Sequence, residues 1–262
     1  MSFQIKNNNN IEYGTFTEFD DHRILTAVSF RKGGISSSSY HSLNMGLHTN
    51  DKNKDVLRNR ELFFKAINVN YADIVTLKQV HSKKVENIQA KDKGKGALKY
   101  EDSFKEADGM VTDVPGLPLV VFTADCLSIF FADPVARIIG IAHSGWKGTL
   151  FNIAGVMVDR MVQKGASVKN IIVGSGPAIG SCCYHVGEDL YRKFNHKYIE
   201  IRNKKYYLNL NEVNTDNLVE AGIKKDNIFH SNICTSCRHD LCFSYRMEKE
   251  TGRMASCIML WE

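Results

Sequence analysis

The 262 residues carry 34 Lys and Arg against 29 Asp and Glu, for a formal net charge of +5, and 43% of them are hydrophobic. This composition is that of a globular protein and excludes a disordered chain, a fibre or a coiled coil. No apolar stretch reaches the ~18 uninterrupted residues of a membrane span, and the Asn-rich start lacks the apolar segment of a signal peptide. The sequence therefore predicts a soluble cytoplasmic protein without a membrane partner.

The positive charge is not arranged for nucleic-acid binding. Its one cluster, from Lys91 to Lys99, is interrupted by two glycines and is typical of a solvated loop. A nucleic-acid groove would need basic residues along one element, with aromatic residues between them. We therefore expect no nucleic-acid partner. The seven cysteines, without secretory signals, are expected to be reduced.

The predicted elements mix strands and helices without regular alternation. In chain order they are a helix over Asp55–Ile67, a strand over Ile74–Val80, strands over Leu119–Thr123, Leu127–Phe131 and Arg137–Ala142, a helix over Thr149–Val162, a strand over Ile171–Val173, a helix over Glu188–Phe194, a strand over Tyr206–Leu210 and a helix over Glu212–Ala221. The Asp133-Pro134 turn signal predicts that residues 119–142 form paired strands or a meander. The Asn-rich start, residues 36–39 and the loop at 91–105 are expected to be flexible. The pattern favours one α+β domain over residues 1–262.

Three potential metal ligands each lie just past an apolar, strand-like segment. They are His81, Cys126 and His143, separated by 45 and 17 residues. Two imidazoles and one thiolate suit Zn²⁺, and a missing fourth protein ligand is typical of a catalytic rather than a structural site. The same residues allow a second interpretation, in which Cys126 is the nucleophile and His143 the base of a cysteine hydrolase. Spacing alone does not choose between them.

Two further features could bind an anion. Gly145 and Gly148 flank Lys147 where a helix is predicted to open, and such a turn can present backbone N–H groups. Arg60 projects from the middle of the apolar stripe of its helix. Its guanidinium must therefore be paired or reach a polar cavity, where it could hold phosphate or a ribose hydroxyl.

Two other motifs are weaker. The run from Gly174 to Gly180 has its third glycine one place late for a dinucleotide fingerprint and is interrupted by Pro177, so a Rossmann site is rejected. Cys234, Cys237 and Cys242 lie within nine residues, with no distant second pair apparent. Wrapping one zinc ion in so short a segment would be cramped, so reduced thiols are favoured over a second zinc site.

An ordered set of short strings resembles the laccase-domain family, whose members were named polyphenol oxidases and later understood as zinc-dependent purine nucleoside phosphorylases. The strings are Ser42-Leu43-Asn44, Asn59-Arg60, Gln79-Val80-His81, Ala107-Asp108-Gly109, Thr123-Ala124-Asp125-Cys126, the run from Ala142 to Gly148, the run from Gly176 to Gly180, and Phe243-Ser244-Tyr245-Arg246. The resemblance extends from about Ser42 to Ser256, which is nearly the whole chain. The resemblance implies a compact domain of layered mixed sheets flanked by helices, and His81, Cys126 and His143 as zinc ligands.

The implied activities are phosphorolysis of adenosine, inosine and methylthioadenosine, together with adenosine deamination. The expected partners are purine nucleosides and phosphate, and the expected assembly is a monomer or homodimer. Arg60, Lys147 and Arg246 are candidates for neutralising phosphate, and Asn44 for binding sugar or base. Asp125 is a candidate for acid/base catalysis or for orienting a ligand imidazole.

The chain departs from the family pattern where Ser144 and Lys147 replace the usual Ala and Arg. Lysine keeps the charge but loses the planar fork, which puts a bidentate phosphate contact at 147 in doubt.

Three alternative functions stay open. The first is a Cys126–His143 amidohydrolase in peptidoglycan-precursor editing, which attaches to the same fold. The second is a copper-dependent polyphenol oxidase, an oxidoreductase, because a His/Cys/His site could also take Cu²⁺. Laccase chemistry normally needs His-x-His pairs, and the nine histidines here contain none. The third is a metal-binding protein without enzymatic activity.

Overall fold

The computed structural model describes residues 2–262. Within them the strands are β1 (Phe3–Asn8), β2 (Ile11–Phe16), β3 (Ile24–Ser29), β4 (Val75–Lys78), β5 (Val85–Asn87), β6 (Phe104–Glu106), β7 (Gly109–Thr112), β8 (Leu119–Thr123), β9 (Leu127–Asp133), β10 (Ile138–Ser144), β11 (Ile172–Ser175), β12 (His185–Val186), β13 (Ile199–Arg202), β14 (Lys205–Leu208), β15 (Ile228–His230) and β16 (Met254–Leu260). The α-helices of the same residues are α1 (Thr17–Asp20), α2 (Asn53–Ala66), α3 (Trp146–Leu150), α4 (Ile153–Gln163), α5 (Glu188–Tyr191), α6 (Leu210–Glu220) and α7 (Tyr245–Glu248). No helix of this part of the chain is long and apolar enough to span a bilayer.

Two large sheets pack face to face. One has the order β1-β2-β3-β16-β8-β4-β6 and the other the order β15-β11-β9-β10-β7-β5. Their facing surfaces share one apolar core, to which Phe16, Val121 and Ile258 contribute from the first sheet and Phe130 and Ile141 from the second. Because successive side chains of a strand point to opposite faces, the other face of each sheet points away from this shared core.

Helices cover the outer faces of both sheets. Phe63 and Phe64 of α2 pack with Val120 on the outside of the seven-stranded sheet. On the other side, α4, α6 and a small sheet of order β12-β14-β13 cover the six-stranded sheet through a core that includes Met157, Leu218 and Leu208. The result is a single compact α+β domain of layered mixed sheets flanked by helices, as the sequence predicts.

Of the two alternatives predicted for residues 119–142, the paired strands are confirmed for β9 and β10, and the meander is not formed. β9 and β10 pair antiparallel across Asp133-Pro134, whereas β8 pairs with β16 and β4 in the other sheet. The chain crosses between the sheets at residues 124–126, where Asp125 has a φ of 91°. The predicted helix over Thr149–Val162 begins earlier, at Trp146, and is divided into α3 and α4 by left-handed Asn152.

The Asn-rich start is ordered into a hairpin rather than a flexible tail. β1 and β2 pair along their whole length, and the two loop residues, Asn9 and Asn10, have φ values of 52° and 62°. A two-residue hairpin loop of type I′ needs positive φ at both positions, and Asn tolerates that conformation better than most residues.

Candidate metal centre

The three predicted ligands meet at one edge of the double sheet. His81 follows β4, Cys126 lies between β8 and β9, and His143 is in β10. One potential ligand atom from each lies within 4.8 Å of the other two. The two imidazole rings have centroids 4.7 Å apart and are nearly perpendicular, at 81°. The fold thus brings together residues that are far apart in the sequence.

The backbone around the ligands is held in uncommon conformations. His81 has a φ of 59° and Asp125, next to Cys126, a φ of 91°. Left-handed backbone at a non-glycine residue costs free energy and persists where surrounding contacts hold it, often at functional sites. Gln79 supplies such contacts because its side-chain amide donates to the carbonyl of Phe122 at 2.9 Å and accepts from its N–H at 2.8 Å. This pair of bonds ties the end of β4 to the end of β8.

Asp108 orients both histidines. Its buried carboxylate lies 2.8 Å from Nδ1 of His143, which leaves Nε2 of that ring for a metal. The same carboxylate accepts the backbone N–H groups of His81 at 3.0 Å and Ser82 at 2.6 Å, and the Ser82 hydroxyl at 2.8 Å. Burial raises the pKa of Asp108, but these hydrogen bonds outweigh it and hold the pKa below the ordinary value. An ionised Asp108 therefore positions the His81 turn and the His143 ring together.

The electrostatics favour a thiolate at Cys126. Burial raises the pKa of this thiol, but His143 and His81 outweigh burial and bring the pKa down to about 6. For His143, burial lowers the pKa, whereas Cys126 and Asp108 raise it to about 9. A thiolate is the form of cysteine that binds metals.

The donor set and the space around it fit a zinc ion. Two imidazole nitrogens and one thiolate are zinc ligands, and three protein ligands leave one coordination position open. Gly145 leaves room for two of the ligand side chains, because a Cβ at this position would lie 2.9 Å from both Cys126 Sγ and His81 Cδ2. The absence of a side chain at Gly145 therefore leaves room for the ligands, and the same residue makes the turn into α3.

We expect Gly145→Ala to weaken zinc binding about 10- to 100-fold, because the added methyl group displaces two ligands. Zinc content after dialysis against a competing chelator measures the effect. Gly148→Ala is the matched control on the same turn, since its Cβ would make only ordinary contacts at 3.5 Å. Equal zinc affinity in the two variants would contradict this role of Gly145.

The ligands lie in the wall of a cavity of about 470 Å³, within the size range of small-molecule sites. The residues that line it are His48, Gln79, His81, Phe122, Thr123, Ala124, Asp125, Cys126, His143, Trp146, Ile179, Tyr184, Tyr245, Arg246 and Arg253. The lining combines aromatic rings with two guanidinium groups. Burial and the nearby Arg253 lower the pKa of His48 to about 4, so that its imidazole is neutral at pH 7.

Of the predicted phosphate ligands, the structure places Arg246 in the cavity and the others elsewhere. The Arg246 guanidinium donates to the His185 carbonyl at 2.7 Å and lies 5.1 Å from the centre of the Tyr184 ring. Lys147 is exposed, with its ammonium 5.5 Å from the centre of the Trp146 ring.

Arg60 and Asn44 are buried beneath the cavity wall. The Arg60 guanidinium donates to the carbonyls of Met45, Gly96 and Ala97 at 2.6–3.0 Å. Burial lowers the pKa of Arg60 to about 9, which still leaves it charged at neutral pH. Asn44 donates to Thr49 and Asp51 and accepts the N–H groups of Gly46 and Arg253. These contacts organise the segment that carries His48 and the start of β16.

Asp125 connects the ligand loop to the C-terminal segment. One carboxylate oxygen accepts the hydroxyls of Thr235 at 2.6 Å and Ser244 at 2.7 Å, and the other accepts the Arg246 N–H at 2.6 Å. The side chain thus orients the segment bearing Arg246 rather than a ligand imidazole.

Sequence reasoning gave no role to two residues of the site, Asp108 and Arg253. Each is a charged residue that directly precedes an apolar strand, β7 or β16. The signal that indicates His81 and His143 is a position just past an apolar strand, and it does not apply to residues that precede one. β7 and β16 are also not among the strands that the sequence predicts.

The fold is an α+β double sheet, and at its edge two imidazoles and a cysteine form a three-residue cluster that could hold a metal ion in the wall of a cavity. The chain belongs to the family described as multi-copper polyphenol oxidoreductase laccase, which matches residues 25–261. This confirms the resemblance to the laccase-domain family.

Two related proteins and a crystal structure agree with this assignment. Purine nucleoside phosphorylase YlmD of Bacillus subtilis (strain 168) is 33% identical over 255 residues, covering 94% of this chain and 92% of the relative. Adenosine deaminase RL5 from an unknown prokaryotic organism is 31% identical, covering 84% of this chain and 87% of its own. The crystal structure of YlmD from Geobacillus stearothermophilus aligns with a TM-score of 0.93 at 32% identity, covering 100% of this chain and 99% of that one.

Proposed function

We propose that the protein is a zinc-dependent purine nucleoside phosphorylase. It would convert adenosine, inosine or methylthioadenosine to the free base and ribose 1-phosphate, and would also deaminate adenosine. We further propose that it acts in the cytoplasm as a single domain over residues 1–262, as a monomer or homodimer. The observation that carries the proposal is the His81, Cys126 and His143 cluster in the wall of the cavity. Relatives named purine nucleoside phosphorylase and adenosine deaminase support the reaction class.

Zinc is favoured over copper by the donors at the site. A zinc ion held by the three ligands would supply Lewis-acid polarisation and acidify a water in the open position. The thiolate-containing cluster has only two histidines, and the sequence has no His-x-His pair for a multicopper centre. The polyphenol oxidase alternative is therefore less well supported than the nucleoside reactions.

The cavity lining suits a nucleoside and an anion. Rings such as those of Trp146, Tyr184 and Tyr245 offer faces on which a purine can stack. Arg246 and Arg253 bring positive charge to phosphate, and a guanidinium can bind two phosphate oxygens at once. The Tyr184 hydroxyl can donate a hydrogen bond, since burial is the main reason that its pKa rises to about 12 and the group stays protonated well above neutral pH. These residues would bind and orient the substrates beside the metal ligands.

The test is product analysis by mass spectrometry after incubation of the zinc-loaded protein with adenosine, with and without phosphate. We expect adenine and ribose 1-phosphate only when phosphate is present, and inosine in both conditions. A protein with zinc bound that forms none of these products would overturn the proposal.

One observation favours the amidohydrolase as the second candidate. Cys126, His143 and Asp108 are arranged as a nucleophile, a base and an orienting carboxylate, with 2.8 Å between His143 Nδ1 and the Asp108 oxygen. Such a triad activates a cysteine without any metal. Activity that survives a chelator and is lost on alkylation of Cys126 would support this candidate.

A further inference from the structure

Four thiols form a second cluster outside the candidate metal centre. They belong to Cys182, Cys183, Cys234 and Cys237, and the sulfur atoms all lie within 4.8 Å of one another. The sequence spacing indicates no distant cysteine pair for the Cys234-x-x-Cys237 motif, but the fold supplies one, because Cys182 and Cys183 lie beside Cys234 and Cys237. Cys242, which the sequence analysis grouped with them, instead packs in an apolar cluster with Phe30 and Phe243.

The spacing of the sulfurs fits one tetrahedral ion. A Zn–S bond of about 2.3 Å requires sulfurs about 3.8 Å apart in a regular tetrahedron. Cys237 Sγ lies 3.5 Å from Cys182 Sγ and 3.4 Å from Cys183 Sγ, and the remaining pairs are within 4.8 Å. All four cysteines are free thiols. Four thiolates complete the coordination shell, which is the pattern of a structural rather than a catalytic zinc site.

Backbone hydrogen bonds hold the two cysteine-bearing segments side by side and support one of the sulfur atoms. Residues 178 and 234 form a parallel bridge, and Thr235 N–H donates to the Ala178 carbonyl at 3.1 Å. Gly180 N–H donates to Cys234 Sγ at 3.2 Å, a contact of the kind that supports thiolate ligands. A Cβ on Gly180 would lie 3.2 Å from Cys182 Sγ, so that glycine also leaves room for the cluster.

We propose that Cys182, Cys183, Cys234 and Cys237 bind a structural Zn²⁺ ion that joins the segment at 178–184 to the segment at 233–238. Both segments border the cavity: Ile179 and Tyr184 line it, and Thr235 donates to Asp125 beside Cys126. The ion therefore stabilises the cavity wall without belonging to the catalytic centre. Its presence does not depend on which reaction the cavity carries out.

The experiment counts metal ions per chain by mass spectrometry in protein purified under reducing conditions. We expect two zinc ions in the unmodified protein and one in Cys237→Ser. Cys237 is exposed, so its replacement opens no core cavity. Cys242→Ala is the matched control from the same segment and should retain two ions. His81→Ala should retain the ion of the four-cysteine cluster alone, which distinguishes the two sites.

A second measurement identifies the ligands directly. Co²⁺ exchanged into His81→Ala should give the absorption of a tetrahedral four-thiolate site. Adding Cys237→Ser to His81→Ala should abolish that absorption. Loss of the ion should also lower the Tm of Cys237→Ser by about 5 °C or more, through the lost stabilisation of the folded state. A stoichiometry of one zinc that is unchanged in Cys237→Ser, iron in place of zinc, or a disulfide among the four cysteines in peptide mapping would overturn the proposal.

Discussion

Replacing His81 with Ala is expected to remove the metal from the three-ligand centre and to lower kcat/KM for adenosine with phosphate by about 10³-fold or more. Two of the three protein ligands would remain, which is too few for a stable zinc centre. The measurements are zinc content and initial rates at saturating phosphate. The exposed His22, in the turn after α1, provides the matched control, and His22→Ala should keep both metal and activity.

The same variant separates the two candidate mechanisms. Cys126, His143 and Asp108 all remain in His81→Ala, so a cysteine hydrolase built on them would keep most of its activity. Cys126→Ser, in contrast, would inactivate the protein under either mechanism, as ligand or as nucleophile. Full nucleoside turnover in His81→Ala that has lost the metal of the three-ligand centre would contradict the zinc mechanism.

The sequence predicts individual apolar strands better than it predicts the sheets that they form. β8, β9 and β10 are near-continuous apolar runs because both faces of each strand are buried, and such runs are visible without knowledge of their partners. The sheet that each strand joins is not visible, because it depends on the crossing at Asp125. β16 was missed although it lies between β3 and β8 in the larger sheet. Its Met254-Ala255-Ser256-Cys257 start has none of the β-branched residues that indicate strands.

The sequence predicts those residues of the candidate metal centre that lie at the end of an apolar, strand-like run. His81 and His143 end apolar runs, and the fold brings those ends together. The carboxylate that orients them, Asp108, carries no such signal because its partners lie 26 to 35 residues away. The Cys182–Cys183 pair likewise meets Cys234 and Cys237 only through long-range contacts. Chemistry assembled from distant segments leaves no characteristic spacing in the sequence.

Arg60 shows how one sequence signal can fit two physical roles. A guanidinium on the apolar face of a helix must find polar partners, and the sequence could not tell whether these are substrate or protein atoms. In the structure the partners are three backbone carbonyls, two of them in the loop at 96–97. The guanidinium also lies 4.8 Å from the centre of the Phe122 ring, whose side chain lines the cavity. These contacts favour a role in joining α2, this loop and the cavity wall.

We therefore expect Arg60→Met to lower the free energy of unfolding by about 3 kcal/mol, because three buried carbonyls lose their charged donor. For a domain of this size that corresponds to a fall in Tm of about 6–12 °C. Thermal unfolding measures the change, and the KM for phosphate should be little affected in the folded variant. Arg58→Met is the matched control on the same helix, since Arg58 is exposed and pairs only with Glu61, a contact of little net stability. An unchanged Tm with a raised KM for phosphate would instead assign Arg60 to substrate binding.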